Sequence, residues 1–367
     1  MKIVFWVERI FPELGGIETF TRQLLPALLQ RCHKIIIVCS HISAIKVEED
    51  LEFGFPIYRF PFSTALNNRD LRLIKGITQQ ANHVIQTFQP DILHLNSILS
   101  SAFFYLRIPD VIRPPTLFTL HSNIIKSRAA NSLQHQLVRK VDHIVGVSEA
   151  SLAHYIESYP EMKTPTSVIH NSLPIPSTKP TILPMNPPVI LCVGRLTYQK
   201  GFDYALNAFN LVLKVHPDAR LIIAGDGEER GALEQQAVEF GIVDTVRFAG
   251  WVHPDQIPDL MNQATVIFMP SRDEPFGLVA LESAQMARPI VASCIDGLKE
   301  VVVHQKTGLL TKPGDVHDMA ERLIFLLDHP DIATQYGQAA KERAQAEYLF
   351  SEFVDKYEAL YYKVAGK

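Results

Sequence analysis

Two stretches of this chain carry side chains whose types and spacing suit work on a phosphorylated ligand. In the first, Gly194-Arg195-Leu196-Thr197-Tyr198-Gln199-Lys200-Gly201, the apolar run VILCV ends in a glycine, and a guanidinium and an ammonium follow on one loop. Arginine offers a planar fork for paired phosphate oxygens and lysine a movable point charge, so together they can neutralise a departing diphosphate without a metal. The plainer alternative is a pair of solvated loop cations. In the second, Glu274-Pro275-Phe276-Gly277-Leu278-Val279-Ala280-Leu281-Glu282, two carboxylates stand eight residues apart. Pro275 marks a loop-to-helix boundary, which predicts Glu274 in the loop and Glu282 two turns into the helix, on the same side. Amides around Phe276, Gly277 and Leu278 would point along the helix axis and offer an anion site, while carboxylates suit sugar hydroxyls as bidentate acceptors. Singly, each glutamate reads as well as a helix-dipole partner or an ion-pair member. The pair fits that reading poorly.

Among 14 histidines, His94 and His121 end apolar runs that read as strands, where ligand-facing residues belong, and His170 stands beside a proline-rich stretch. A lone histidine is more often structural than catalytic. Lys126, close behind His121, adds a second cation able to reach phosphate.

The elements that would position these groups follow from periodicity. Short β-branched runs alternate with longer segments of helical period, the pattern of parallel sheets with crossover helices. Strands are expected at 2–8, 34–40, 57–60, 91–97, 116–122, 143–148 and 166–171, with helices clearest at 18–31, 69–88 and 149–157. Residues 172–188 hold six prolines and read as a linker, because proline suits neither a helix interior nor a central strand. Beyond it strands are expected at 189–194, 220–225, 246–250, 265–271 and 289–293, with helices near 202–215, 228–240 and 277–287. The tail from Asp315 is helical in period, and its aromatic last segment, with Phe353, Tyr357, Tyr361 and Tyr362, either caps the second domain or crosses back to the first. The fold class is therefore α/β with two doubly wound domains: residues 1–172, joined by a C-terminal helix at 350–367 if the tail crosses back, the linker 173–188, and residues 189–349. In such sheets ligands meet the carboxyl ends of the strands.

Length agrees with two domains, since 367 residues exceed what one hydrophobic core usually organises. Residues 1–175 hold 17 Lys and Arg against 14 Asp and Glu, and the remainder 18 against 25. That asymmetry is too weak for a nucleic-acid footprint, though it leaves the first half able to meet an anionic acceptor or membrane surface. Arg69, Arg72 and Lys75 beside Leu71, Leu73 and Ile74 suit peripheral docking on anionic lipid; basic residues over buried leucines are the commoner meaning. The four cysteines show no zinc-ligand spacing. The apolar run after Met1 stops at Glu8, short of a signal or spanning segment, so a cytoplasmic protein is expected, at most peripheral on the inner membrane face.

In order and spacing, GRLTYQKG, the strand-turn Gly225-Asp226-Gly227 and the run EPFGLVALE resemble family 4 of the glycosyltransferases, which have the GT-B fold of two Rossmann-like domains facing across a cleft. The first half adds Gly15-Gly16-Ile17-Glu18, DILHLN at 91–96, TLHS at 119–122, VSEA at 147–150 and IHNS at 169–172. The last departs from the family's more usual Asn-Gly, since Ser172 tolerates positive φ less well than glycine. The resemblance implies transfer of a hexosyl group from a UDP-, GDP- or ADP-sugar to a glycan, lipid-linked or small-molecule acceptor, without a metal and with retained anomeric configuration, as in polysaccharide biosynthesis. By its pattern Arg195 and Lys200 hold the donor diphosphate beside Gly194 and Gly225, Glu274 the donor sugar and Glu282 the ribose. Phe276, Gly277 and Leu278 line the donor site, Gly15 and Gly16 form the glycine loop facing the sugar-phosphate, and His121 stands across the cleft by sugar and acceptor. No carboxylate is singled out as a nucleophile for double displacement.

Two rival classes remain. Gly225-Asp226-Gly227-Glu228-Glu229-Arg230-Gly231 mimics the dinucleotide fingerprint of an NAD-dependent Rossmann oxidoreductase, but Asp226, Glu228 and Glu229 crowd the helix start that would hold a pyrophosphate. A catalytically decayed nucleotide-sugar-binding protein is disfavoured because Arg195, Lys200, Glu274, Glu282 and His121 are present together.

Overall fold

The computed structural model describes residues 1–10, 15–41, 46–49, 54–123 and 132–367. Lys126 lies outside them. The first sheet has strands β1 Lys2–Trp6, β2 Lys34–Ser40, β3 Lys46–Glu49, β4 Pro56–Phe60, β5 Ile92–Leu95, β6 Thr116–Leu120, β7 His143–Gly146 and β8 Thr166–Val168, in the order β3-β4-β2-β1-β5-β6-β7-β8. All neighbours are parallel except the edge pair β3 and β4. The second has β9 Val189–Val193, β10 Arg220–Ala224, β11 Val246–Gly250, β12 Val266–Met269, β13 Ile290–Ser293 and β14 Leu309–Thr311, in the order β11-β10-β9-β12-β13-β14, all parallel.

The central strands are mostly apolar and buried along nearly their whole length, because helices cover both faces. Val4 and Trp6 point to one face of β1 and join Leu93, Leu95 and Phe118 in a single cluster, as the two-residue alternation of strands requires. In the second sheet Ile190, Cys192, Leu221, Ile223, Val266 and Phe268 do the same against Ala205, Leu206 and Phe209 of the helix Phe202–Val212. The expected α/β architecture of two doubly wound sheets is the one observed.

Sequence reading missed the short helices Phe62–Asn67, Ser100–Tyr105 and Leu133–Lys140, and strands β3 and β14. None spans enough residues for a periodic signal.

The chain forms two compact units, Met1–His170 with Ser351–Lys367, and Asn171–Phe350. The last helix, Phe350–Val364, buries Phe353, Tyr357 and Tyr361 in the first unit. Tyr361 Oη lies 2.7 Å from His94 Nδ1 and the Tyr357 ring stacks on His94. Arg31 reaches Asp355 at 2.5 Å and Glu358 at 2.6 Å.

Candidate active site

In the second unit the chain runs outward from β9 to β10 and β11, then returns to β12 on the other side of β9. The loops leaving β9 and β12 therefore diverge around a topological switch point, where open sheets of this kind bind ligands. Both chemistry-bearing stretches sit there. Gly194 follows β9, Arg195 is exposed on the loop behind it, and Lys200 ends the single turn Tyr198–Lys200. Across the switch, Glu274 lies in the loop between β12 and the helix Leu278–Gln285. Lys200 Nζ donates to Glu274 Oε2 at 2.5 Å, joining a half-buried ammonium to a carboxylate only 8% exposed.

One glycine contact and two backbone hydrogen bonds shape the floor of this loop cluster. A Cβ on Gly225 would stand 1.8 Å from the Gly194 carbonyl oxygen, and Gly225 has φ +142°. Gly194 N–H donates to Ala224 O and Leu196 N–H to Asp226 O, so the strand ends after β9 and β10 run backbone on backbone. The same contacts weigh against a dinucleotide fingerprint at residues 225–231. Gly227 N–H is held by Asp226 Oδ1 at 2.8 Å, and Arg230 pairs with Asp226 and Glu234. The helix behind that turn begins only at Arg230.

The helix Leu278–Gln285 opens at Gly277, which has φ +102° and no side-chain cap. Its first amides thus lack the usual side-chain acceptor, and the positive end of the helix dipole faces the loop that carries Glu274. Phe276 is buried and Leu278 half-buried. Gly297 presses on this turn: a Cβ there would stand 2.3 Å from Pro275 O. Because the helix starts at Leu278, Glu282 stands just over one turn inside it, not the two turns expected from Pro275. The turn at Phe276 and Gly277 delays the helix. Burial pushes the Glu282 carboxyl up to about 7.

In the first unit Gly15 precedes the helix Gly16–Gln30, close behind β1, and His121 follows β6. Phe20, one turn into that helix, lays its ring 4.6 Å from the His121 ring. His121 Nε2 lies 2.8 Å from Asn96 Oδ1; with the amide in that orientation Nε2 donates, which leaves Nδ1 an acceptor. Burial pushes His121 down to about 3, so the imidazole is neutral. His94 serves differently. It is fully buried, its two ring nitrogens meet Tyr361 and Thr119, and burial holds it well below the ordinary histidine range. It joins the last helix to the sheet.

Sequence reading missed Arg272, Asp203, Tyr198 and Tyr204, which surround the Lys200 turn. Arg272 forks onto Asp203 and lies over both tyrosine rings. These residues come from three separate elements, so no local spacing marks them.

Residues 14–175 match the family model described as Glycosyltransferase Family 4, and residues 177–343 that described as Glycosyl transferases group 1. Glycogen synthase of Mycobacterium tuberculosis is 27% identical, over 91% of this chain and 88% of its own. Among solved structures, sucrose-phosphate synthase from Thermosynechococcus elongatus superposes with a TM-score of 0.84 at 20% identity, covering 99% of this chain and 98% of that one. HepE of Anabaena, solved in complex with UDP-glucose, gives 0.79 at 21% identity, covering 98% of this chain and 99% of that one. The fold and these matches define a GT-B glycosyltransferase of the nucleotide-sugar type. The chain belongs to glycosyltransferase family 4.

Proposed function

We propose that this enzyme is a retaining, metal-independent hexosyltransferase that draws on a UDP-, GDP- or ADP-sugar and delivers to a glycan, lipid-linked or small-molecule acceptor. The observation that carries the reading is the meeting of Lys200 and Glu274 at the switch point, beside an uncapped helix start. Residues 189–349 act as the donor-binding domain; residues 1–172 with 350–367 act as the acceptor-binding domain. Arg195 and Lys200 hold the diphosphate, with Gly194 and Gly225 allowing its close approach. Glu274 accepts from donor-sugar hydroxyls while also fixing Lys200, and Glu282 accepts from the ribose. The Phe276, Gly277 and Leu278 backbone adds amide donors, Gly15 and Gly16 a close backbone surface toward the sugar-phosphate, and His121 a neutral acceptor toward sugar or acceptor hydroxyls.

Retention then follows from attack on the face the leaving group vacates. The bond between the anomeric carbon and the diphosphate oxygen breaks, the acceptor oxygen bonds to that carbon, and the acceptor proton passes to the departing phosphate. Arg195 and Lys200 stabilise the charge that develops on it, the role that preorganised donors fill in low-dielectric sites. Thermal shift with UDP-, GDP- and ADP-sugars identifies the donor, since a ligand at 100 times its Kd stabilises by about 2.7 kcal/mol. With that donor, Arg195→Ala is expected to lower kcat by roughly 10² to 10³; turnover near wild type would overturn the assignment.

Peripheral membrane contact belongs to the same reading. Leu71 is 78% exposed at the start of the helix Leu71–Phe88, beside exposed Arg72 and Lys75. Co-sedimentation with anionic vesicles at low salt, lost at high salt, is the expected result, and Arg72→Glu with Lys75→Glu should abolish it.

A further inference from the structure

The segment between β12 and the helix Leu278–Gln285 has no regular structure, yet it must hold the Glu274 carboxylate against Lys200. The single turn that carries Lys200 is equally short. Something other than secondary structure sets their spacing.

Arg272 is built into the junction of the two. Its Nη1 and Nη2 donate to Asp203 Oδ1 and Oδ2 at 2.7 and 2.6 Å, and Nη1 also reaches Tyr198 O at 2.9 Å. The guanidinium carbon lies 4.0 Å from the centroid of the Tyr198 ring and 3.9 Å from that of Tyr204. Below it, Arg272 N–H donates to Gln199 O at 2.7 Å, one residue before Lys200. Gly201, one residue after Lys200, has φ +66°, and a Cβ there would stand 2.2 Å from Pro270 O. The turn and the loop are thus hydrogen-bonded just before Lys200 and packed backbone on backbone just after it, and Arg272 supplies the side-chain fastening. Its charge is matched by Asp203 and its Nε is buried, so it is not a third cation offered to phosphate.

We propose that Arg272, forked onto Asp203 and held between Tyr198 and Tyr204, is a positioning residue that sets the geometry of Lys200 and Glu274. The proposal rests on the reading of those two as donor-holding groups. An isolated exposed ion pair would contribute little. A fork that is also stacked fixes direction and distance, and a lysine in its place keeps the charge while losing both.

The test measures donor hydrolysis by the full chain, using whichever of UDP-, GDP- and ADP-glucose the wild type hydrolyses fastest, in Arg272→Lys, Asp203→Asn, Lys200→Ala and Arg272→Lys with Lys200→Ala. Misplacement acting through Lys200 is expected to lower kcat about 10- to 100-fold in Arg272→Lys and in Asp203→Asn, with donor KM changed less and folded protein retained. In the Lys200→Ala background Arg272→Lys should cost markedly less than in the wild type, because one of the two groups through which it acts is gone. Wild-type kcat in both Arg272→Lys and Asp203→Asn, or an equal loss in the Lys200→Ala background, overturns the proposal. Lys200→Ala turning over at the wild-type rate instead overturns the reading of the site itself.

Discussion

At the scale of single residues, Glu282 gives the clearest dependence on pH. Its carboxyl is pushed up to about 7 by burial, whereas in the unfolded chain it titrates near 4.5. Between those values the folded protein keeps a proton that the unfolded chain has released, so stability falls as pH rises through the window. Glu282→Gln removes that term. Urea unfolding at pH 5 and pH 8 should show the variant gaining on the wild type at the higher pH; parallel behaviour would refute the buried carboxyl. Residue types and spacing made Arg195, Lys200, Glu274 and Glu282 visible in the sequence, because charged groups at the ends of apolar runs are conspicuous. Arg272 was not visible. Its meaning comes from Asp203 and two tyrosines, and a lone arginine in a loop carries no such message.

At the scale of elements, the close run of backbone after β9 and β10 depends on glycine. Gly225→Ala would place a Cβ against Gly194 O and force a side chain into a backbone region it disfavours. A loss of about 1 to 3 kcal/mol is expected from the conformation alone, with weaker donor binding because Gly194 shifts. An unchanged urea midpoint would contradict this. The long strands were legible because burial on both faces writes them as uninterrupted apolar runs: β2 was expected at 34–40 and is observed at Lys34–Ser40. Strand ends were less so, since the expected 91–97 shortens to β5 Ile92–Leu95 where the chain turns out toward the ligand end. Glu282 moved by most of a turn for the same kind of reason, as Gly277 at positive φ holds off the helix.

At the scale of the whole molecule, the first unit contains a helix from the far end of the chain. A chain ending at Phe350 lacks Phe353, Tyr357 and Tyr361 and uncovers His94 and Phe20. Such a chain is expected to bind a hydrophobic dye and to be cut by protease within residues 1–170 at concentrations that spare the full chain; equal resistance would show the helix to be dispensable. The amino-acid sequence by itself determined the α/β class, the positions of the main strands, and which charged residues stand at their ends, because these depend on local alternation and on chemistry carried by neighbouring residues. Only the tertiary structure decided that Lys200 and Glu274 touch, that Arg272 fastens the loops bearing them, and that the last helix closes on His94. Each of these is a contact between segments distant in the chain, and such contacts are set by strand order and packing, which no local pattern records.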